Sequence, residues 1–226
     1  MDMARTRHTV RRIGRPRPTP GMDARERLLD TAVTLFAKEG IAATPIAKIA
    51  SHAGVTPAMV HYYFTNRERL LDAVCEERLL RNVNAVWAPL AEDKESAAEL
   101  VRGLVQRIMR AGETQPWLPS LWLREIVTEG GQLRERMLKR LPLDHIQKFI
   151  THLSAAKLEG QLSPAVEPRL VFVSLIGLTL LPLAAMNIWR RLPLLQGVGH
   201  EELGRHAEAL LLHGLFVQQP SSKRRR

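Results

Sequence analysis

The chain has 226 residues, of which 45% are hydrophobic, with 33 Lys and Arg against 23 Asp and Glu. This length and hydrophobic content are enough for one or two globular domains. The single cysteine, Cys75, excludes an intramolecular disulfide scaffold and favours a reducing compartment. The arginine-rich N-terminus lacks the apolar run of a secretory signal, so we expect a cytoplasmic protein.

The formal net charge of +10 is concentrated in two tails. Residues 1–20 contribute +5 and residues 223–226 contribute +4, which leaves +1 for residues 21–222. Neither tail has apolar residues at helical spacing, and prolines interrupt the first one. We therefore predict a disordered basic arm over 1–20 and a basic tail over 219–226. An anionic polymer is the expected partner of both, and a purely solubilising role is the alternative.

The basic arm contains a short motif, Gly14-Arg15-Pro16-Arg17, preceded by Arg12. It resembles the Gly-Arg-Pro core of an AT-hook, in which extended Arg side chains lie in the minor groove of A·T-rich DNA. The resemblance implies minor-groove contacts by Arg12, Arg15 and Arg17.

Three short helices are predicted after Met22. Apolar residues at three-and-four spacing indicate a first helix that ends at Gly40, which we expect in the left-handed C-cap conformation. Thr44 and Pro45 predict the start of a second helix over about 45–52, with Thr44 as its cap. Gly54 supplies a tight turn, after which Thr56 and Pro57 begin a third helix. Two short helices joined by such a turn form a helix-turn-helix, whose second helix enters the major groove of DNA.

These elements, in this order, resemble the DNA-binding region of the tetracycline-repressor (TetR) family of transcriptional regulators. The resemblance covers roughly residues 25–75. It departs from the family pattern at His61, where the family often has Tyr, and at Arg67, where it often has Lys. The segments that carry the resemblance are Phe36-Ala37-Lys38-Glu39-Gly40, Thr44, Ile49-Ala50, Ala53-Gly54-Val55-Thr56, His61-Tyr62-Tyr63-Phe64 and Asn66-Arg67-Glu68-Arg69-Leu70-Leu71.

The resemblance implies a set of residues at or near DNA. Arg67 and either His61 or a Tyr are expected to hold phosphates, whereas Pro57, Ala58 and Tyr62 are placed to touch base edges. Tyr63 has core packing as its alternative role. The whole implied set is Thr44, Lys48, Thr56, Pro57, Ala58, His61, Tyr62, Tyr63 and Arg67.

The remainder of the chain is predicted to be helical, which makes the protein all-α. We expect a helix-turn-helix DNA-binding domain over 21–68 and a larger helical domain for effector binding and dimerisation over 69–218. The predicted helices of the larger domain run over about 66–90, 96–111, 117–129, 132–157 with an interruption or a kink at Pro142, 166–191 and 200–218.

The segment Leu170–Trp189 contains no charged residue and is long enough to span a membrane. Polar residues within it and the polar flanking sequence favour a helix buried by a partner instead. The TetR resemblance implies a homodimer through about 166–191 and 200–218, with no membrane involved. A membrane-anchored regulator is the alternative.

An unknown small-molecule effector, apolar or aromatic, is also implied, with Trp, Met and Phe side chains lining its cavity and Glu125 or His145 as a polar anchor. Core packing is the alternative role of each. We do not expect an enzyme, a metal site or a cofactor, because His200-Glu201-Glu202 lacks the second His of a zinc motif and Gly197-Val198-Gly199 follows no strand. The candidate lining residues are Trp87, Met109, Trp117, Trp122, Glu125, Met137, His145 and Phe149.

Overall fold

The computed structural model of the chain describes residues 23–88 and 95–217, and these residues are almost entirely helical. Their only β-structure is an isolated antiparallel bridge between Leu162 and Phe216. The predicted all-α fold is confirmed. The eleven α-helices within the described residues are α1 (Ala24–Glu39), α2 (Ile46–Ala53), α3 (Pro57–Phe64), α4 (Arg67–Val74), α5 (Arg81–Trp87), α6 (Ala97–Thr114), α7 (Leu118–Trp122), α8 (Arg134–Leu138), α9 (Leu143–Leu158), α10 (Pro168–Trp189) and α11 (His200–Leu215).

A long helical stretch connects the N-terminal helices to the rest of the chain. It consists of α4, a π-helical turn over Cys75–Leu80 and α5. The side chain of Asn66 caps its start by accepting a hydrogen bond from the main-chain N–H of Arg69. The predicted helix over 66–90 is therefore continuous to Trp87, and its predicted end lies outside the described residues.

Two predicted local conformations are wrong. Gly40 has φ 88° and ψ 156°, so it is not in the left-handed helical conformation expected of it. Thr44 does not cap α2, because its hydroxyl donates to the carbonyl of Gly40 at 2.7 Å and its side chain is fully buried. Pro45 is the residue that precedes α2, which begins at Ile46. By contrast, Gly54 adopts the left-handed conformation, with φ 72° and ψ 26°.

The helical stretch predicted over 132–157 is interrupted at Pro142 rather than kinked there, and it forms two helices. Pro142 immediately precedes α9, where its missing N–H costs no helical hydrogen bond, and α8 ends four residues earlier. Similarly, the short helix predicted over 117–129 consists of α7 followed by a π-helical turn over Leu123–Val127.

Buried apolar side chains form two clusters. The first core joins α1–α4 and the Cys75–Leu80 turn to Leu118, Leu121, Ile126, Leu133 and Met137 of the larger predicted domain. The second core lies among α5, α6, α9, α10 and α11. The domain boundary predicted between residues 68 and 69 falls inside α4, and apolar packing crosses it.

Cys75 is fully buried in the first core, and this burial raises the pKa of its thiol to about 11. Because only the thiolate is nucleophilic, about one thiol in a thousand is reactive at pH 8 even before access is considered. We expect no reaction of the native protein with Ellman's reagent at pH 8, and one thiol per chain after unfolding in guanidinium chloride. A fast stoichiometric reaction of the native protein would contradict this burial.

Helix α10 is long and apolar enough, by length and composition alone, to cross a membrane. About a third of its most apolar stretch is buried within the monomer. Its buried face packs into the second core through Val171, Leu175, Leu180 and Leu183. The opposite face exposes a stripe of apolar residues at Leu170, Val173, Leu181 and Ile188.

Candidate functional site

Helices α2 and α3 and the Gly54 turn between them form the predicted helix-turn-helix. Pro57 occupies the first turn of α3, where a residue without an N–H is tolerated. Val60 and Phe64 face inward and are buried in the first core. The opposite face of α3 is therefore free for contact with another molecule. It comprises Thr56, Pro57, Ala58, His61 and Tyr62, all exposed.

The two tyrosines of α3 differ in their surroundings. Tyr62 is 81% exposed, an unusual state for a large aromatic side chain. Tyr63 is half-buried and packs against the first core, with its ring 5.2 Å from that of Tyr62 in an edge-to-face arrangement. Tyr63 thus packs between the first core and the ring of Tyr62, and the exposed remainder of Tyr62 is available for contact with a ligand.

His61 is exposed at the end of the same face. Its ring nitrogen Nδ1 lies 3.1 Å from the carbonyl oxygen of Thr65. If Nδ1 carries the proton, it donates to that carbonyl and leaves Nε2 directed away from the main chain. The imidazole is therefore oriented by its own helix end and presents one nitrogen to solvent.

Arg67 is bonded to the main chain of the protein. Its guanidinium donates to the main-chain carbonyl of Thr44 at 2.8 Å and also to the carbonyl of Ile41. Both terminal nitrogens are thereby used to hold the loop between α1 and α2 against the start of α4. The side chain of Thr44 is likewise bonded to the main chain and buried, so both residues brace the α1–α2 loop, and the phosphate contact predicted for Arg67 would have to replace these bonds.

Lys48 lies on α2 and is half-buried. In the absence of DNA its ammonium group lies 2.5 Å from a carboxylate oxygen of Glu39 and lowers the pKa of that carboxyl group. A phosphate that binds Lys48 must compete with this ion pair. The ion pair also links the end of α1 to α2.

Ion pairs fix α1 to the long helical stretch. Arg25 donates to both carboxylate oxygens of Glu77, at 2.6 and 2.5 Å, and its guanidinium lies 5.3 Å from the ring centre of Phe64. This pairing lowers the pKa of Glu77. Arg78 likewise pairs with Glu26 and Asp30 at 2.8 and 2.7 Å. The helix-turn-helix is thus held in a defined orientation relative to α4 and α5.

An apolar cavity lies between the long helical stretch, α6, α7 and α10. The volume of the cavity is about 160 Å³. Aromatic rings of Trp87, Trp122 and Phe172 contribute to the wall, and among the described residues no side chain of Asp, Glu, Lys or Arg lines it. The remaining lining residues are Asn82, Val83, Val86, Leu104, Ile108, Ala111, Leu118, Ile126, Leu138, Leu141, Ile146, Leu175, Ile176 and Leu180.

Of the eight residues predicted to line an effector cavity, the structure brings Trp87 and Trp122 to this one. Phe149 is fully buried behind Trp87, with ring centres 5.9 Å apart. His145 is half-buried beside the lining residue Ile146, and its buried Nδ1 has no hydrogen-bond partner in the described part of the chain.

The other four predicted residues do not line this cavity. Met109 lines a separate polar groove between α6 and α11. Met137 is fully buried in the first core, and the indole N–H of Trp117 donates to the side chain of Gln115 at 2.8 Å. Glu125 is 6% exposed, but its carboxylate accepts hydrogen bonds from main-chain N–H groups and lines no part of the cavity.

Sequence reasoning missed the contribution of α10 to the cavity. Phe172, Leu175, Ile176 and Leu180 line the cavity, whereas the predictions assigned this helix to a dimer interface alone. A signal was present, because a helix that is apolar on all sides has more than one face to cover.

Comparison with known proteins identifies the chain. The family model described as bacterial regulatory proteins, tetR family, matches residues 28–74. The HTH-type transcriptional regulator BetI of Rhizobium meliloti (strain 1021) is 34% identical over 164 residues, which cover 63% of this chain and 79% of BetI. The chain belongs to the TetR family. This TetR-family protein is accordingly a DNA-binding transcriptional regulator.

Other relatives of the TetR-family protein respond to small molecules or resemble it in fold. The nicotine-responsive transcriptional repressor HdnoR of Paenarthrobacter nicotinovorans is 32% identical over 88 residues, which cover 39% of this chain and 43% of HdnoR. The ketosteroid regulator KstR2 of Mycobacterium tuberculosis superposes with a TM-score of 0.70 at 20% identity over 87% of this chain and 96% of that one. FadR of Bacillus subtilis, solved with stearoyl-CoA, superposes with a TM-score of 0.63 at 19% identity over 84% of this chain and 98% of that one.

Proposed function

We propose that this TetR-family regulator is a repressor that binds a palindromic operator as a homodimer and releases it when an effector fills the apolar cavity. The observation that carries the proposal is the exposed face of α3, where Tyr62 stands free while Val60 and Phe64 anchor the helix. A single α3 reads few bases, whereas two related by a twofold axis read both halves of a palindrome.

Contacts within each half-site follow from the exposed face of α3. Pro57, Ala58 and Tyr62 are proposed to touch base edges and thymine methyl groups, and Thr56, Lys48 and His61 to hold phosphates. Tyr63 is proposed to position Tyr62 rather than to touch DNA itself. The minor-groove contacts proposed for Arg12, Arg15 and Arg17 lie outside the described residues.

Homodimerisation is proposed through the exposed faces of α10 and α11. The apolar stripe on α10 continues onto α11 at Leu210, which is 49% exposed. Within the described part of the chain, Gly177 and Gly214 have no atom within 4 Å of where a Cβ would lie, so a second pair of helices can approach closely at both positions. Each leucine-sized side chain that a partner covers stabilises the dimer by about 1.5–3 kcal/mol.

A second copy is proposed to cover α10 in preference to a membrane, because the opposite face of α10 is already packed against the second core. A helix that spans a bilayer would need lipid on most of its circumference. The protein is accordingly proposed to act in the cytoplasm, without a cofactor or catalytic activity of its own.

The effector is proposed to be an uncharged apolar or aromatic molecule. Among the described residues the cavity has no charged lining side chain to balance an ion, while Trp87, Trp122 and Phe172 offer ring faces and edges for stacking. Ligand binding is proposed to favour a dimer in which the two α3 helices no longer match successive major grooves.

The experiment that tests operator binding is selection of bound sites from a randomised duplex library by the full-length protein. We expect a palindrome whose half-sites lie about one helical turn apart. The same selection is repeated with a protein that lacks residues 1–20, which should recover the same palindrome without any flanking A·T preference. Recovery of no motif at low salt would contradict sequence-specific binding and leave only non-specific binding to phosphates.

Operator affinity is expected to rise as pH falls below neutral, because a protonated His61 beside a phosphate gains a favourable charge interaction. We expect a gain of about three- to tenfold between pH 7.5 and pH 5.5, equivalent to about 1 kcal/mol for one charge-assisted contact. The measurement is fluorescence anisotropy of the selected duplex. The control is His61→Tyr, which should lose this dependence, and identical pH profiles for the two proteins would show that His61 has no such role.

A further inference from the structure

Glu125 is the one acidic side chain among the described residues that is buried, and its surroundings are unusual. It is 6% exposed, and no Lys or Arg within the described part of the chain forms an ion pair with it. Burial of a carboxylate is costly unless hydrogen bonds replace its hydration. Here two main-chain N–H groups do so, and they belong to different parts of the molecule.

One carboxylate oxygen of Glu125 is held locally. Oε2 accepts a hydrogen bond from the N–H of Gln132 at 2.9 Å. The turn that carries Gln132 is packed against the main chain of Glu125 so closely that a Cβ on Gly131 would lie 2.2 Å from the carbonyl oxygen of Glu125. The side chain is therefore fixed to its own segment and moves with it.

The other oxygen reaches the DNA-binding region. Oε1 accepts a hydrogen bond from the N–H of Ile41 at 3.3 Å, across 84 residues of sequence. Ile41 lies in the loop between α1 and α2, and its carbonyl is held from the other side by Arg67. Arg124 adds a second contact to this loop, because its guanidinium lies against Gly40.

The same short segment borders the apolar cavity. Leu118, Trp122 and Ile126 line the cavity and also pack in or against the first core. Leu121 is buried in the same core, and Glu125 reaches the α1–α2 loop. The π-helical turn over Leu123–Val127 lies between the two surfaces. Trp122, Ile126 and the carboxylate that holds Ile41 therefore belong to one short segment with contacts on both sides.

We infer that Glu125 is the positioning residue that couples the cavity to the helix-turn-helix, through its hydrogen bond to the main chain of Ile41. The inference rests on the proposed effector-controlled operator binding and names the route of that control. Two sites are coupled when both bias one structural element, and here that element is the segment Leu118–Val127. This coupling role replaces the role of polar effector anchor that the sequence suggested for Glu125.

The test compares operator affinity with the cavity empty and filled. The filling agents are N-phenyl-1-naphthylamine, an uncharged aromatic dye, and the substitution Ala111→Phe, which places a ring in the cavity from a lining position. In the natural chain either one is expected to lower affinity for the selected operator by about tenfold, within the range usual for coupled sites.

Glu125→Gln keeps the size of the side chain but directs an amide donor at one of the two N–H groups. It is expected to bind the dye as the natural chain does, to bind the operator up to about tenfold more weakly, and to respond to cavity filling by less than about twofold. Hydrogen exchange at the amide of Ile41 should be faster in this variant. Glu129→Gln is the matched control, because Glu129 lies just after the segment Leu118–Val127 and is exposed, and it should behave as the natural chain.

Three outcomes would overturn the inference. An equal loss of operator affinity on cavity filling in the natural chain and in Glu125→Gln would leave the effector mechanism standing but remove Glu125 from it. Equal rates of hydrogen exchange at the amide of Ile41 in the natural chain and in Glu125→Gln would also remove Glu125 from the mechanism. No effect of either filling agent on any variant would overturn cavity control itself and the proposed function with it. Should Glu125→Gln not fold, as judged by its thermal melt, Glu125→Asp replaces it, since one methylene less cannot span Gln132 and Ile41 together.

Discussion

Leu181→Glu is expected to convert the protein to a monomer and to lower its operator affinity by about a hundredfold or more. Leu181 is 55% exposed at the middle of the apolar stripe on α10. In a twofold interface the substitution occurs twice, so two carboxylates without partners replace two apolar contacts. Loss of the second α3 removes an avidity that is typically between 10² and 10⁴. Analytical ultracentrifugation and operator titration measure the two effects.

The control for this variant is Leu158→Glu. Leu158 is 91% exposed at the end of α9, outside the proposed interface, so the same change of chemistry there should leave both mass and operator affinity unchanged. Circular dichroism should show folded Leu181→Glu, because the side chain contributes little to the monomer core. A dimeric, operator-binding Leu181→Glu protein would contradict the proposed interface.

Gly131→Ala is expected to destabilise the fold by about 3 kcal/mol, which for a chain of this size is a fall in melting temperature of about 6–12 °C. The added Cβ would lie 2.2 Å from the carbonyl oxygen of Glu125 and 2.5 Å from its carbonyl carbon. Both are main-chain atoms, so no side-chain rotation relieves the overlap. The measurement is thermal unfolding followed by circular dichroism.

Gly130→Ala is the matched neighbour. Gly130 has φ 79°, and an added methyl group there would meet no atom of the described residues within 4 Å, so its substitution incurs only the strain of a positive φ, about 1 kcal/mol. Gly131→Ala should therefore melt well below Gly130→Ala. Equal melting temperatures would show that the turn after Val127 relaxes freely and does not brace Glu125.

The helix-turn-helix was predictable because its signals are local. Gly54 in a turn and Pro57 at a helix start each need only their neighbours, and both were predicted correctly. Arg67 was assigned to phosphate because the resemblance to the TetR family implies a DNA contact at that position. Its acceptors, the carbonyls of Ile41 and Thr44, come from a loop more than twenty residues earlier, and no local pattern reveals them.

The effector cavity was less predictable for the same reason. A Trp or Met in an apolar helix has the same periodicity whether it lines a cavity or fills a core, and Met137 proved to fill the first core while Trp122 lines the cavity. Glu125 shows the limit most clearly. A lone carboxylate in a short helix is an obvious polar anchor, and only the tertiary contact across 84 residues shows that it faces the DNA-binding region.

A hybrid regulator made by joining residues 23–80 to the sensing half of another family member would leave an apolar surface bare. The first core is completed by residues that follow α6 in the sequence, namely Leu118, Leu121, Ile126, Leu133 and Met137. The transplantable DNA-binding unit is therefore discontinuous in the chain and includes residues 118–137. New effector specificity is more readily obtained by altering α6 and α10, whose cavity-facing side chains lie in or against the second core except for Ala111, which packs against the first.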